Sequence, residues 1–490
     1  MQPKTFLWHD YETFGRDPTR ERPVQFAAIR TDNDLNQLDE LMIYCRQTAD
    51  YLPDPESCLV HGVLPQVANE QGLCEHDFAT AIHQQMSQPG TCVAGYNNIR
   101  FDDEFTRQLL FRNLYDPYSR EWKNGNSRWD IIDVVRLTRA LRPEGINWPS
   151  DDEGNPTNRL DQLTRANDIP HGDAHDALAD VRATIAIARL IKQKQPRLFD
   201  YAMQMRTKRN IAHALDLVNH KPVLHVSGMY TGRNLNLSII VPLCPHPTNA
   251  NGILVYDLRK DPTELIKLDA ESIAERLFTR AEILPEHTKR PAIKTIHLNR
   301  CPAIAPLSTL SDEHLPRLSL DIPLAMRYRD ELIASLETVT SRLATVFTRH
   351  KPTNPRDPEL TLYSGSFASD NDRKLMASVQ NQFAQGTPVA NDIVFEDARL
   401  NELLLRVRAR NREDTLNNDE VQYWKSLCGR RVHQGHEGFR SITEFENILT
   451  NMQANCSDRK TVDLVAALRE YGHSIARFSQ DFDDYSTNPT

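Results

Sequence analysis

The strongest constraint on what this chain can fold into is the order in which acidic side chains and one histidine are met in its first 180 residues. Asp10 and Glu12 form a D-x-E, Asp102 lies in an F-D-D, and His175 and Asp180 form an H-x-x-x-x-D. Three separate segments must converge if these groups are to act together. Carboxylates brought together repel one another, and cations relieve that repulsion. Hard ions such as Mg2+ or Mn2+ take oxygen ligands and retain several waters, so one or two carboxylates per ion plus a substrate phosphate are enough. Two ions about 3.5–4 Å apart stabilise both the attacking and the leaving oxygen of an in-line displacement. The set therefore points to a water activated against a phosphodiester.

Each segment has its own local logic and its own plainer reading. The run Thr5-Phe-Leu-Trp-His9 is apolar and β-prone, which predicts a strand continuing through Asp10 and Glu12, where residues i and i+2 share a face. Alone, D-x-E is as readily a solvated pair on an exposed strand. From Thr91 the chain passes from a short apolar strand through Asn97 and Asn98 into a helix marked by Phe105, Leu109 and Leu110. Asp102 or Asp103 then stands at the helix start, where a carboxylate serves equally well as a cap or as a metal ligand. The third segment, Ala174-His-Asp-Ala-Leu-Ala-Asp-Val181, leads into an Ala/Ile-rich helix ending near Lys194. Residues five apart lie on different helical faces, so His175 must project from the loop or first turn to meet Asp180. An imidazole there could accept the proton of an attacking water, although a lone histidine is more often structural. The conjunction of all three, on strand, helix start and helix, favours the functional reading.

These segments resemble the DEDDh exonuclease superfamily, which includes polymerase proofreading domains, ribonuclease T and oligoribonuclease. Longer strings are similar to the bacterial exonuclease I family: His9-Asp-Tyr-Glu-Thr-Phe-Gly15, Arg22-Pro-Val-Gln-Phe-Ala-Ala-Ile-Arg-Thr-Asp32, Gly95-Tyr-Asn-Asn-Ile-Arg-Phe-Asp-Asp-Glu104, Asn126-Ser-Arg-Trp-Asp130, Leu141-Arg-Pro-Glu-Gly-Ile-Asn-Trp-Pro149, Lys221-Pro-Val-Leu-His-Val-Ser-Gly-Met229 and Arg408-Ala-Arg-Asn411. The resemblance spans nearly the whole chain. It implies an α/β ribonuclease-H-like exonuclease domain, then an SH3-like β (α+β) domain, then a C-terminal α-helical domain. It implies a processive 3′→5′ exonuclease that releases 5′-mononucleotides from single-stranded DNA with Mg2+, Mn2+ substituting, in DNA repair and recombination. Asp10, Glu12, Asp102 and Asp180 fall on the family's metal-binding carboxylates, and His175 on its general base. Arg159, Arg107, Tyr118, Trp122, Arg136 and Arg142 fall on substrate-facing positions, with Glu12 shared between metal and substrate. The family also cooperates with single-strand-binding protein, whose acidic tail ends in an apolar residue. Arg142, Tyr201 and Lys221 are the candidates to receive it.

Charge bears on how DNA would be held. The net charge of -9 excludes a generally basic nucleic-acid binder, so any strand path must be a local stripe. Residues 189–233 carry nine Lys/Arg against Asp200 and Asp216. Between Arg100 and Arg142, arginines alternate with Tyr115, Tyr118, Trp122 and Trp129. This interleaving suits single strands, because guanidiniums follow phosphates while rings stack on unpaired bases, worth about 1–3 kcal/mol per base. The alternative is a pair of amphipathic helices whose arginines are merely solvated; an adjacent phosphodiester site favours binding.

The eight cysteines are scattered without a C-x-x-C, which favours reduced thiols in the cytoplasm over disulfides or a zinc site. No signal peptide or membrane span is expected, and the expected state is a monomer. Composition places the domains at 1–195, 196–350 and 351–490. Gln195-Pro196 punctuates the first join, β-prone runs at Val223, Leu237, Ile253 and Ile293 fill the second, and the proline-rich stretch 351–358 reads as a linker. Helical spacing follows around Leu400, Val421 and Val462, ahead of a frayed acidic tail. Two other functions are weighed: an RNA 3′ exonuclease of the same superfamily, and a scaffold that binds single strands without chemistry. A scaffold gains nothing from clustered carboxylates beside a polyanion. Ribonuclease T and oligoribonuclease lack so long an extension after position 195.

Overall fold

The computed structural model describes residues 3–172, 176–280, 282–286, 288–349, 357–389, 393–456 and 458–479. His175, the first six residues of the expected linker and the acidic tail lie outside the described residues. The chain forms two compact units, one from Gln2–Asn126, Gly172–Arg182 and Asn354–Thr490, the other from Met1, Ser127–His171 and Ala183–Thr353.

The first unit is built on β1 (Thr5–Thr13), β2 (Pro23–Thr31), β3 (Gln37–Tyr44) and β4 (Thr91–Gly95), in the spatial order β3-β2-β1-β4. β1 runs antiparallel to β2 and parallel to β4. A parallel neighbour demands a long crossover, and here β2, β3 and three helices, ending with Glu75–Met86, supply it. β1 and β2 are buried on both faces, which is why Thr5–His9 reads as a nearly unbroken apolar run. Leu7, Tyr11, Phe26 and Val93 pack on Phe78, Ile82 and Met86 of the crossover helix and on Leu109 of the helix Asp102–Arg112. This core fixes the end of β1.

The same unit contains five C-terminal helices, Asp370–Ala384, Ala398–Asn411, Asn418–Gln434, Ile442–Asn455 and Arg459–Phe478. The first and fourth were not expected from the sequence pattern. Phe14, Val24 and Tyr51 share a core with Val432, Phe439, Phe445 and Leu468, so the N-terminal sheet and these helices fold as one body. A buried ionic cluster joins them further. Arg431 bridges Asp50 at 2.6 Å and Asp357 at 2.7 Å, Arg22 reaches Glu359 at 2.9 Å, Arg406 reaches Asp357 at 2.6 Å, and Arg410 pairs with Asp50 and Glu359. Arg112 holds Glu75 at 2.9 Å beside them. Asp357 and Pro358, the end of the expected linker, are therefore buried: paired carboxylates at 357 and 359 outweigh the tendency of a proline-rich stretch to stay solvated.

The second unit contains β5 (Ser127–Asp130) and an antiparallel sheet of β6 (Val223–Val226), β7 (Leu237–Pro245), β8 (Gly252–Asp257), β9 (Ile293–His297) and β10 (Ile304–Pro306), in the order β10-β6-β7-β8-β9. β6 to β9 stand where the β-prone runs predict them. β10 is three residues long and ends in proline, an edge strand too short to register as a pattern. Leu137 and Leu141 of the helix Ile131–Leu141 pack on Leu224, Val241 and Leu254 of the sheet, and Leu332 and Leu343 belong to the same core. The eight cysteines form no disulfide, and no helix among the described residues is long and apolar enough to cross a membrane.

Burial alone would raise the carboxylates of Asp50, Glu75, Asp357 and Glu359, but the surrounding guanidiniums outweigh it and hold all four below the usual range. Acids depressed by folding add stability that is present above their unfolded pKa and lost as pH falls. Wild-type stability should accordingly decline as pH drops below about 4. Arg431→Met takes one cation from both Asp50 and Asp357, leaving them to Arg410 and Arg406, and should lower the unfolding free energy by about 3–5 kcal/mol. Urea titrations of both proteins at several pH values check these outcomes, and a near-neutral Arg431→Met would show that the cluster is dispensable.

Candidate active site

Asp10 and Glu12 occupy alternate positions of β1 and so project to one face, while His9 and Tyr11 face the other way. His9 is buried, donates through Nδ1 to the Ala94 carbonyl, and is held near a pKa of about 4 chiefly by burial, so it stays neutral. The pairing of β1 with β2 shifts between Glu12 and Thr13: Glu12 faces Gln25 and Thr13 faces Pro23, which leaves Val24 of β2 as the extra residue beside the second carboxylate. Bulges beside active sites re-aim side chains.

Asp102 is the first residue of the helix Asp102–Arg112, and its Oδ1 accepts a hydrogen bond from the Tyr11 backbone N–H at 3.1 Å. That contact docks the helix start against β1 between the two strand carboxylates. The N-cap is Phe101, with no capping side chain, so neither acid is the cap that spacing allowed. Asp103 turns away into a fully buried pair with Arg120 at 2.7 Å. The two neighbouring aspartates thus divide, one to the site and one to the scaffold.

Asp180 lies in the first turn of the helix Ala177–Lys194, its N–H bonded to the Asp176 carbonyl at 3.0 Å. Gln25, directly opposite Glu12 in the β1–β2 register, accepts from the Ala177 N–H at 3.4 Å. The helix start is thereby tied to the strand beside the first two carboxylates. Ligand oxygens of Asp10, Glu12 and Asp180 all lie within 4.8 Å of one another. Asp102 stands close enough for its charge to act on both strand carboxylates.

The electrostatic consequence is large. Burial first, then Asp102, Glu12 and Asp180, drives the Asp10 carboxyl well above its usual range. Burial, Asp180, Asp102 and Asp176 push Glu12 up to about 9. Oxygen donors at this spacing, destabilised as anions by one another, fit a hard divalent cation, whose charge would reverse the sign of the field. Sequence reasoning passed over Asp176 and Gln25, the first because it looks like a helix-start acid and the second because its role depends on strand register.

The expected substrate residues are distributed over both units. In the first, Trp122 is 68% exposed, and Tyr118 makes an edge contact with Phe367 at 5.7 Å. Arg107 is buried: its guanidinium pairs with Glu121 at 2.7 Å and Glu104 at 2.9 Å and lies over the Tyr118 ring at 5.5 Å. In the second, Arg159 is exposed and pairs loosely with Asp161, while Arg136 pairs with Asp133 at 2.6 Å. Arg142 donates to the Thr309 carbonyl at 3.2 Å, and Tyr201 donates to the Ile304 carbonyl at 3.0 Å. Lys221 is exposed two residues before Val223, which pairs with Pro306. Arg142, Tyr201 and Lys221 therefore border one segment, 304–309.

Comparison with known proteins decides the family. A profile described as "Exonuclease" matches residues 7–188, "Exonuclease I SH3-like domain" matches 206–349, and "Exonuclease I C-terminal domain" matches 356–475. Exodeoxyribonuclease I of Escherichia coli (strain K12) is 42% identical over 478 residues, covering 97% of this chain and 98% of that protein. This chain belongs to the exonuclease I family. Its architecture is accordingly an α/β exonuclease domain, an SH3-like domain and a C-terminal helical domain, and it is an exodeoxyribonuclease. Among solved family structures, the zinc-bound form of the E. coli ExoI–ssDNA complex is 39% identical with a TM-score of 0.89, covering 96% of this chain and all of that one. An ExoI/SSB-Ct complex is 40% identical with a TM-score of 0.88, covering 97% of this chain and all of that one. The exonuclease fold and the carboxylate trio together mark a divalent-metal site.

Glu12 carries the sign of the pH response. Its folded pKa lies above the ordinary 4.5, so without cations the fold is favoured below that value and loses this contribution as pH rises through about 9. In EDTA the melting temperature should fall across that window, and saturating Mn2+ should remove the fall. Glu12→Gln should flatten the EDTA curve. Calorimetry at successive pH values measures both; parallel curves with and without metal would contradict the assignment.

Proposed function

We propose that this chain is a processive 3′→5′ exonuclease that hydrolyses single-stranded DNA to 5′-mononucleotides by two-metal catalysis with Mg2+, in DNA repair and recombination. The observation that carries the reading is the convergence of Asp10, Glu12 and Asp180 within 4.8 Å, with Asp102 docked beside them, in a chain 42% identical to E. coli exodeoxyribonuclease I. Asp10, Glu12, Asp102 and Asp180 would hold the metals, which when bound supply charge stabilisation to the attacking and leaving oxygens. His175 would accept the proton of the attacking water. Glu12 would also face the terminal nucleotide. Division into domains at 1–195, 196–350 and 351–490 agrees with the breaks between the family matches.

For the strand itself, Trp122 offers an exposed ring for base stacking, and Tyr118 offers one already polarised by Arg107. Because the Arg107 guanidinium is occupied by two carboxylates, its contribution runs through the Tyr118 ring rather than a phosphate. Arg136, Arg142 and Arg159 supply cationic contacts on the second unit. The acidic tail of single-strand-binding protein is assigned to the surface bordered by Arg142, Tyr201 and Lys221, where cations flank the apolar segment 304–306. We assign the working form to a cytoplasmic monomer. The match of all three family profiles favours DNA over RNA as substrate.

End-labelled single-stranded DNA, duplex DNA and RNA, each incubated with Mg2+ or EDTA, test this directly. Wild type should shorten only the single-stranded DNA, from its 3′ end, and only with metal. Asp180→Ala should abolish cleavage while retaining binding in EDTA. His175→Ala should lose about 10²–10⁴-fold in rate, with a deficit that shrinks as hydroxide becomes abundant. Preferred cleavage of RNA, or an active Asp180→Ala, would overturn the reading. Titration of a labelled acidic-tail peptide should show binding that fades with salt, and weaker, less salt-sensitive binding to Lys221→Ala; unchanged affinity would exclude Lys221 from the surface.

A further inference from the structure

The segment that follows the catalytic strand is held from outside the exonuclease segment. Residues 14–22 connect β1 to β2, and they begin just past the register shift beside Glu12. Thr13 Oγ1 donates to the Gly15 carbonyl at 2.7 Å, and the Phe14 N–H bonds the Arg22 carbonyl at 2.9 Å, closing the loop on itself. Gly15 has φ 152 and lies directly against Glu21, so that a Cβ at that position would come within 2.3 Å of the Glu21 carboxyl carbon. The Glu21 side chain is thus the floor under the chain leaving Glu12.

Two arginine contacts fix this floor to the turn 435–440. Arg440 pairs with Glu21 at 3.0 Å and donates to the Leu52 carbonyl at 3.0 Å. Arg20 donates through Nε to the Glu437 carbonyl at 2.7 Å. The turn is shaped for that purpose: Gly435, Glu437 and Gly438 have φ of 64, 55 and 79, and a Cβ on Gly438 would approach Arg20 Nε to 3.1 Å. A glutamate held in the left-handed region is strained and persists where the surroundings over-determine it. Phe439, next in the turn, packs in the same core as Phe14.

We infer that the turn 435–440 is a positioning element of the active site: through Arg440–Glu21 and Glu437–Arg20 it sets the loop 14–22, and through the strand ends that the loop joins, Thr13 on one side and the extra residue Val24 on the other, it sets the aim of the Glu12 carboxylate. The C-terminal helical region then completes the catalytic centre in addition to any contact with DNA. The inference rests on the exonuclease reading of the site, and wild-type cleavage in the same assay tests that reading separately.

The experiment uses the full-length protein and the variants Arg440→Ala, Glu21→Gln and their combination, each checked for folding by its melting curve, with kcat and KM measured on a single-stranded oligonucleotide. A displaced catalytic carboxylate costs rate rather than affinity, so kcat should fall about ten- to a hundredfold with KM within about twofold. The double variant should lose no more than the worse single variant, because the two residues act as one unit. Unchanged kcat in both single variants, a change in KM alone, or losses that multiply would overturn the inference. Should Arg440→Ala fail to fold, the near-isosteric Glu21→Gln carries the same kcat and KM reading.

Discussion

Mutual repulsion among carboxylates is the constraint around which this molecule is arranged. Asp10, Glu12 and Asp180 are drawn from a strand and a distant helix to within 4.8 Å, and Asp102 is docked on the Tyr11 backbone beside them. Burial and the neighbouring acidic charges make Asp10 and Glu12 resist ionisation. A scaffold that holds them in place must be stiff, and divalent cations turn the cost into binding affinity. Each local feature near the site serves this end. β1 is central and buried on both faces, the β1–β2 register shifts directly beside Glu12, and Gln25 ties the Asp180 helix to the strand register.

Stiffness is supplied largely by residues far away in sequence. The C-terminal helices share a core with Phe14, Val24 and Tyr51, and the cluster of Arg22, Asp50, Glu359, Arg410 and Arg431 ties the two parts through charge-assisted hydrogen bonds. Buried ion pairs add little net stability relative to apolar packing, yet breaking one is costly. A network of this kind therefore specifies one arrangement of sheet and helices rather than simply strengthening it. The turn 435–440 extends the same logic to the loop behind Glu12.

Much of this was legible in the sequence because it rests on short-range patterns. Apolar continuity gives β1, alternation places Asp10 and Glu12 on one face, and helical spacing after Asp102 and Asp180 gives the two helices. The family strings add the domain order, since the matching profiles extend almost from end to end. What sequence spacing left open was partner choice. Asp102 and Asp103 are equivalent by position, and only packing sends one to Tyr11 and the other to Arg120. Arg107 reads as one arginine of an aromatic-interleaved stripe, and spacing gives no sign of its pairs with Glu104 and Glu121. Asp357 and Pro358, the two described residues of the expected linker, read as solvated until Arg406 and Arg431 claim Asp357. Long-range charge pairing leaves no periodic trace, and these are the places where local reasoning stops.

Anomalous diffraction from crystals grown with Mn2+ tests most directly the claim that the carboxylates converge in order to hold cations. The account predicts Mn2+ bounded by Asp10, Glu12, Asp102 and Asp180, as two peaks about 3.5–4 Å apart once a single strand is bound. Carboxylates that remain without metal at saturating Mn2+, or ions held by other residues instead of these four, would contradict it.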